Sequence, residues 1–433
     1  MKKTDLEKVI EEMQNPKIYP HPVKGVKFVQ TQMSCVFLTG DYVYKVKKPV
    51  NFGFLDYTTL EKRKKLCETE IELNRRLSPE IYLGVTAITK ENGKISLEGG
   101  GDIVEYAVKM KQLPKENMLS TLLRQGKANK EMIKRVAEKI AKFHQEARTN
   151  RKIAAFGKLE IIVQNCQENF VQTQKYIART IPPKSYKEIK SWTENFIVQN
   201  KALFEKRIKE RRVRDCHGDL HSEHICIVKL MRNKKWQAPY AKPTRNKAAA
   251  KLCGNIKFGE AAYAKPRENY YALSLVNQRE SAKAAPSKGG INTELCSRPS
   301  ESRQGGRSDQ RKSALNNKEL VDASAIYIYD CIEFNERFRY GDVASEVAFL
   351  AMDLDFYGEP ELSNYFAECY VKAARDKDLL KLIQFYKCYR AYVRGKVESF
   401  KLDDARISQK DKKKAGDCAR KYFTLSSAYI CRR

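Results

Sequence analysis

The chain has 433 residues, 42% of them hydrophobic and 31% charged, enough to bury one large core or two modest ones, which excludes a disordered or collagen-like protein. Lys and Arg total 83 against 53 Asp and Glu, and the resulting formal charge of +30 draws polyanions, nucleotides and anionic surfaces without singling one out. No run approaches the roughly 18 uninterrupted apolar residues of a membrane span, and the opening MKKTDLEKVIEEMQ alternates charge with Leu, Val and Ile, so a soluble cytoplasmic protein with no membrane partner is predicted.

In chain order, Gln32 to Val46 gives two runs of β-formers around the turn signal Thr39-Gly40-Asp41, and the second ends in Lys45 to Lys48 and Pro49. Strand alternation puts Lys45 and Lys47 on one face. From Thr59 to Leu77 apolar residues recur at helical spacing until Ser78-Pro79 stops them. A hairpin around Glu91-Asn92-Gly93 and a strand from Asp102 toward Leu113 follow, and the stretches Met118 to Glu205 and Val343 onward read as amphipathic helix, with His144 at helical spacing from Ile140. Twelve cysteines lie between Cys35 and Cys431 without a C-x-x-C pair, which points to reduced, mostly buried thiols.

Composition shifts sharply once. Between residues 231 and 323 hydrophobic periodicity collapses and basic residues far outnumber acidic ones, a pattern that cannot bury enough apolar surface to offset its ordering entropy. The predicted role is a disordered insertion; the alternative is a nucleic-acid-binding arm with Tyr240, Tyr263, Tyr270 and Tyr271 as stacking residues. The flanking runs His224 to Leu230 and Ala325 to Phe334 are rich in β-branched and aromatic residues and read as two arms of one hairpin, whose tip tolerates a long insertion because loop closure grows only logarithmically with length. The chain thus divides into residues 1–112, a small β-rich lobe; 113–230, the first part of a larger helical lobe; 231–323, the insertion; and 324–433, the rest of the helical lobe. The fold class is α+β, with a cleft between the lobes.

The sharpest signal is Arg214-Asp-Cys-His217-Gly218-Asp219-Leu-His221-Ser-Glu223-His224. An Asp on a tight glycine-containing loop before a strand can orient a hydroxyl nucleophile, and a ligand five residues on can reach a metal at the same phosphate, which is the pairing phosphoryl transfer requires. Asp330, closing the apolar run Ile326 to Tyr329, is placed to supply a second metal carboxylate. Asn165, Glu168 and Asn169 are candidates for a substrate pocket, the acidic residues Asp353, Asp355, Glu359 and Glu361 for receiving a cation, and Arg390, Arg394 and Lys396 for holding a substrate anion.

These motifs resemble those of the aminoglycoside phosphotransferase-like branch of the protein-kinase-like superfamily. His217-Gly-Asp219-Leu-His221 is similar to its catalytic loop, Asp330-Cys-Ile-Glu333 to its metal-binding segment, and Gly341-Asp342-Val-Ala-Ser-Glu346 to the stretch that follows, with Glu346 in place of the usual Asp. Val36 to Arg63 and Tyr386 to Phe400 most resemble a group of uncharacterised bacterial relatives, some of which are fused to a P-loop ATPase domain whose motif does not occur here. The resemblance implies a two-lobed kinase-like fold and an ATP-dependent phosphotransferase acting on a hydroxyl of a small molecule. It implies Asp219 and His217 as the catalytic pair, and Lys45 held by Glu70 at the nucleotide phosphates, with Lys47 as rival. It further implies Thr31 and Ser34 in the turn over those phosphates, Met110 and Gln112 in the hinge that meets adenine, and Asp330 with His224 as ligands of Mg²⁺ or Mn²⁺. His224 stands where the family has Asn, and an imidazole suits softer divalent ions better than Mg²⁺. His224 as a ligand of such an ion, His224 as a phosphate contact, and loss of transfer activity are all compatible with that substitution, and a silent nucleotide-binding or nucleic-acid-binding scaffold is the rival function.

Overall fold

The computed structural model describes residues 5–229, 324–405 and 407–431. The predicted insertion at 231–323, with its nucleic-acid alternative, lies outside the described residues. Residues 5–227 and 326–431 belong to one compact unit.

The first lobe is a six-stranded antiparallel sheet in the order β1-β2-β3-β6-β4-β5, formed by β1 (Lys27–Gln30), β2 (Ser34–Leu38), β3 (Tyr42–Lys47), β4 (Tyr82–Glu91), β5 (Lys94–Leu97) and β6 (Asp102–Lys111). Both predicted turns form. Gly40 joins β2 to β3 at φ +102, and Asn92-Gly93 join β4 to β5 with φ of +50 and +83, the paired positive values that a two-residue hairpin turn demands. Helix α1 (Asp5–Glu12) covers one face of the sheet, where Val9 and Met13 pack on Phe37, Tyr44 and Val46. Helix α2 (Leu60–Arg75) covers the other, setting Cys67 and Ile71 against Tyr82 and Val108. α2 starts where Thr59 Oγ1 accepts the Lys62 amide at 3.3 Å, a side-chain N-cap. Since alternate residues of β3 face opposite ways, Tyr44 and Val46 enter the α1 core while Lys45 and Lys47 face α2.

The second lobe is helical around one extensive apolar core, to which the helices Lys130–Glu146, Val343–Phe356, Pro360–Ala374, Leu379–Phe400 and Gln409–Cys431 contribute. Two small two-stranded ladders are set into it. β7 (Val213–Asp215) pairs with β10 (Tyr340–Asp342), and β8 (Ile225–Lys229) pairs with β9 (Ser324–Ile328), so the two runs flanking the composition shift do meet. β9 is shorter than the apolar run suggests. The chain leaves the strand after Ile328 because Asp330 takes a left-handed φ of +64 and the next amides turn away, Cys331 N–H to Asn74 Oδ1 at 2.8 Å and Ile332 N–H to the His217 carbonyl at 3.0 Å. The result is an α+β architecture with a β-rich first lobe and a helical second lobe, as expected from the sequence. Described cysteines are free thiols, most of them buried, and among the described residues no helix is long and apolar enough to cross a membrane.

Candidate active site

The loop between β7 and β8 is held from beneath. Glu346, in the first turn of the helix Val343–Phe356, accepts the His217 amide at 3.0 Å and the Gly218 amide at 2.5 Å, and its Oε2 lies 2.7 Å from His144 Nε2. Burial opposes ionisation of Glu346, but the bonds from His144 and the loop amides prevail and hold its pKa at about 2. His144 is completed by Tyr370, whose hydroxyl sits 2.7 Å from Nδ1, so this histidine supports the loop as its spacing suggested. Asp353 accepts the Ser222 amide at 2.8 Å, whereas Asp355 pairs with Lys387 at 2.9 Å, so these two carboxylates do separate structural work.

His217, expected in the catalytic set, is turned inward. Its Nδ1 accepts the Asp219 amide at 3.2 Å and its Nε2 lies 2.9 Å from the Tyr329 carbonyl, which puts the proton on Nε2. Burial pushes its pKa down to about 4, so the ring is neutral and both nitrogens are spent on backbone. These two bonds lock the His217 ring and help to fix the Asp219 backbone. Gly218 makes the turn possible, at φ +91 with a would-be Cβ only 2.9 Å from the Phe338 carbonyl and 3.0 Å from Ile332 Cδ1. Gly218→Ala is expected to lower the thermal midpoint by several degrees and to cut any activity by displacing Asp219; an unchanged melting curve would contradict this reading of the turn.

Two carboxylates converge on one ring. Asp219 Oδ2 lies 3.6 Å from His224 Nδ1, and Asp330 Oδ2 lies 3.6 Å from His224 Nε2 on its other side. Nδ1 is also 2.9 Å from the Asp219 carbonyl oxygen, to which it donates, leaving a lone pair on Nε2 directed at Asp330. Asp219 Oδ2 and both nitrogens of His221 are buried without a hydrogen-bond partner, and His221 Nε2 stands 3.6 Å from that same oxygen. Burial disfavours both carboxylates, yet the two histidines around Asp219 and Lys45 beside Asp330 hold each well below the usual carboxylate range. An orphaned carboxylate oxygen and an imidazole lone pair facing a second carboxylate fit a divalent ion better than they fit one another. Asp330 and His224, the expected ligand pair, stand 3.6 Å apart, and Asp219, His221 and His224 form a second set with ligand atoms all within 4.8 Å of one another.

Behind Asp330 lies an ion network that the sequence showed only in part. Lys45 Nζ donates to Asp330 Oδ1 at 2.7 Å and Glu70 Oε1 at 3.0 Å; Lys47 Nζ donates to Glu70 Oε2 at 2.7 Å and to Glu333, which also accepts the Tyr57 hydroxyl at 2.7 Å. Burial works against both ammonium charges, but the surrounding carboxylates win and raise both pKa values well above the lysine norm. A cleft of about 420 Å³ separates the two candidates: Lys45 lines it and the fully buried Lys47 does not. Thr31, Ser34, Met110 and Gln112 line the same cleft, as do Asp330 and His224.

The Thr31 and Ser34 amides are consumed inside the turn, by the Ser34 carbonyl at 2.8 Å and by Thr31 Oγ1 at 2.9 Å, so the turn's cation is Lys48, which reaches the Thr31 carbonyl. The Gln112 amide is likewise committed, to the Asp41 carbonyl at 2.9 Å. A second cavity, about 200 Å³, opens at Asp219 and Gly218 and is lined by Asn165, Glu168 and Asn169 from one helix and Arg390, Arg394 and Lys396 from another.

No family model matches the chain. Uncharacterized proteins of Mycobacterium bovis and Mycobacterium tuberculosis are each 26% identical over 403 residues, covering 92% of this chain, which spans 59% of their length. Among solved structures, an ethanolamine kinase of Plasmodium vivax aligns at 10% identity and a TM-score of 0.41, over 94% of this chain and 81% of its own. A spectinomycin phosphotransferase in complex with ADP and spectinomycin aligns at 10% identity and a TM-score of 0.37, over 98% of both chains. A putative aminoglycoside phosphotransferase from Ralstonia eutropha aligns at 10% identity and 0.39, over 99% of this chain and 98% of its own. Likenesses this distant add nothing to what the side-chain geometry supports.

Proposed function

We propose that the chain is an ATP-dependent phosphotransferase that moves the γ-phosphoryl group to a hydroxyl of a small molecule. One observation carries the reading: two ionised carboxylates, from residues far apart in sequence, approach opposite sides of the His224 ring, one at the 420 Å³ cleft and the other at the 200 Å³ cavity. In this reading ATP fills the larger cleft with its phosphates toward Lys45, which Glu70 holds in place, and the acceptor enters the smaller cavity with a hydroxyl at Asp219. The acceptor oxygen bonds to the γ-phosphorus, the bond to the β,γ-bridging oxygen breaks, ADP departs, and the hydroxyl proton passes to Asp219 or through it to solvent. A carboxylate held so far down is a weak base for a free hydroxyl, so Asp219 fixes the hydroxyl in line and takes its proton late, once the forming bond to phosphorus has acidified it, which suits a loose phosphoryl-transfer transition state. Asp330 and His224 would hold a divalent ion, which neutralises the phosphate charge when bound.

A thermal-shift matrix tests this. ATP with a divalent ion should raise the melting temperature by several degrees, with Mn²⁺ acting at lower concentration than Mg²⁺ because of the imidazole, and His224→Asn should reverse that order. Flat responses to every combination of nucleotide and metal would end the proposal.

A further inference from the structure

The smaller cavity carries a charge pattern that the transfer chemistry leaves unused. Most of its ionised groups are neutralised within the protein: Glu346 by the loop amides, Asp342 by Arg207 at 2.6 Å, Arg339 by Asp215 at 2.6 Å, and Glu168 by Arg337 at 2.8 Å. Two cations of the helix Leu379–Phe400 are not. Arg390 donates its Nε to the carbonyl and hydroxyl of Ser345, both at 3.2 Å, and its guanidinium lies 4.8 Å from the Phe349 ring centroid. Lys396, 8% exposed, donates to the amide oxygens of Asn169 at 2.5 Å and Gln172 at 2.7 Å. Neither is in an ion pair among the described residues, which for the buried Lys396 is unusual because desolvation of a charge costs far more than neutral partners return.

Resting on the kinase reading above, we propose that the acceptor is a small hydroxy compound bearing an anionic group, a carboxylate or a phosphate, which pairs with Arg390 and Lys396 while its hydroxyl meets Asp219. The cavity's 200 Å³ is below the roughly 300–1,000 Å³ of sites for drug-sized ligands, so the acceptor is compact. Burial pushes the Lys396 pKa down to about 7, opposed by Glu168 and reinforced by Arg337, so this group is partly discharged near neutrality and an arriving anion recharges it. Binding should therefore take up a proton, which an acceptor held by neutral hydrogen bonds would not cause.

Four six-carbon probes of similar size separate the charge classes: gluconate, glucose 6-phosphate, neutral glucitol and cationic glucosamine. Isothermal titration of the full chain at pH 7.5, repeated in two buffers of different ionisation enthalpy, should show at least one of the two anions binding at least tenfold more tightly than glucitol or glucosamine, with proton uptake. Which anion binds tells carboxylate from phosphate. Arg390→Gln, at a half-buried position, should weaken that anion at least tenfold, and Lys396→Met should abolish the uptake. Binding by neither anion, equal binding of glucitol or glucosamine, or an unchanged affinity in Arg390→Gln overturns the assignment. ATP-dependent transfer is read separately: transfer to glucosamine alone would overturn the anionic acceptor and leave the kinase standing, whereas anion binding with ATP unbound would support the anion site and remove the kinase.

Discussion

Asp219→Asn should lower ATP-dependent phosphate transfer by about a thousandfold while leaving the thermal shift with ATP and metal within about a degree of the parent's, consistent with the 10²–10⁴ that a positioned proton acceptor contributes. The substitution keeps the shape of the side chain and removes its charge. The loop does not depend on that charge, since its amides are clamped by Glu346, His217 and Asp353. What the charge does is hold the protonated form of His221, whose pKa it raises against burial, and present a buried oxygen with no protein partner to the smaller cavity. With Asn in its place a hydroxyl still finds an oxygen, but no anion remains to draw its proton or to favour charge leaving the attacking oxygen. The nucleotide side, Lys45, Glu70 and Asp330, is untouched. Steady-state ADP release and a melting curve on the same preparation settle the matter, and activity within tenfold of the parent would remove Asp219 from the mechanism.

Much of this arrangement was legible in the sequence, and where it was not the reasons are physical. Strand parity is local, so the shared face of Lys45 and Lys47 followed from their spacing, whereas Glu70 was implied only by the resemblance. The catalytic-loop residues sit within a few positions of one another, which kept Gly218, Asp219 and His224 together on paper. What decided between Lys45 and Lys47 was tertiary: Glu333 and Tyr57 enclose one lysine, and only the folded cleft shows which remains accessible. The Glu333 carboxylate was visible in the Asp330-Cys-Ile-Glu333 motif but carried no signal of its partner 286 positions away. The commitments of the Thr31, Ser34 and Gln112 amides were equally invisible, because backbone hydrogen bonds in a turn depend on its geometry and not on residue type. The backbone partners of both His217 ring nitrogens were hidden for a related reason, since a motif shows a histidine beside an aspartate and not the way its ring is turned.

The second large effect falls on stability. Lys47→Met should lower the melting temperature by about 5 °C, because removing one member of a buried ionic group leaves its partners charged and unpaired, at a cost of about 3–5 kcal/mol. Lys47 is 1% exposed; Glu70 and Glu333 depend on it, and although Glu70 retains Lys45, Glu333 keeps only the Tyr57 hydroxyl. Pairing the change with Glu333→Gln removes the stranded charge and should recover about half of the lost stability, so the double variant separates ionic stranding from lost packing against Tyr57, whose ring centroid is 5.0 Å from the Lys47 ammonium. The pH dependence gives a further check. Burial disfavours the Glu70 carboxylate, but Lys45 and Lys47 together depress its pKa, so it stabilises the fold above the ordinary carboxylate range and loses that contribution as pH falls. Without Lys47 the depression shrinks, and the gap in melting temperature between parent and variant should narrow as pH drops from 7 toward 4. Calorimetric melts across that range would reject the argument if the gap stayed constant, since packing loss alone does not titrate.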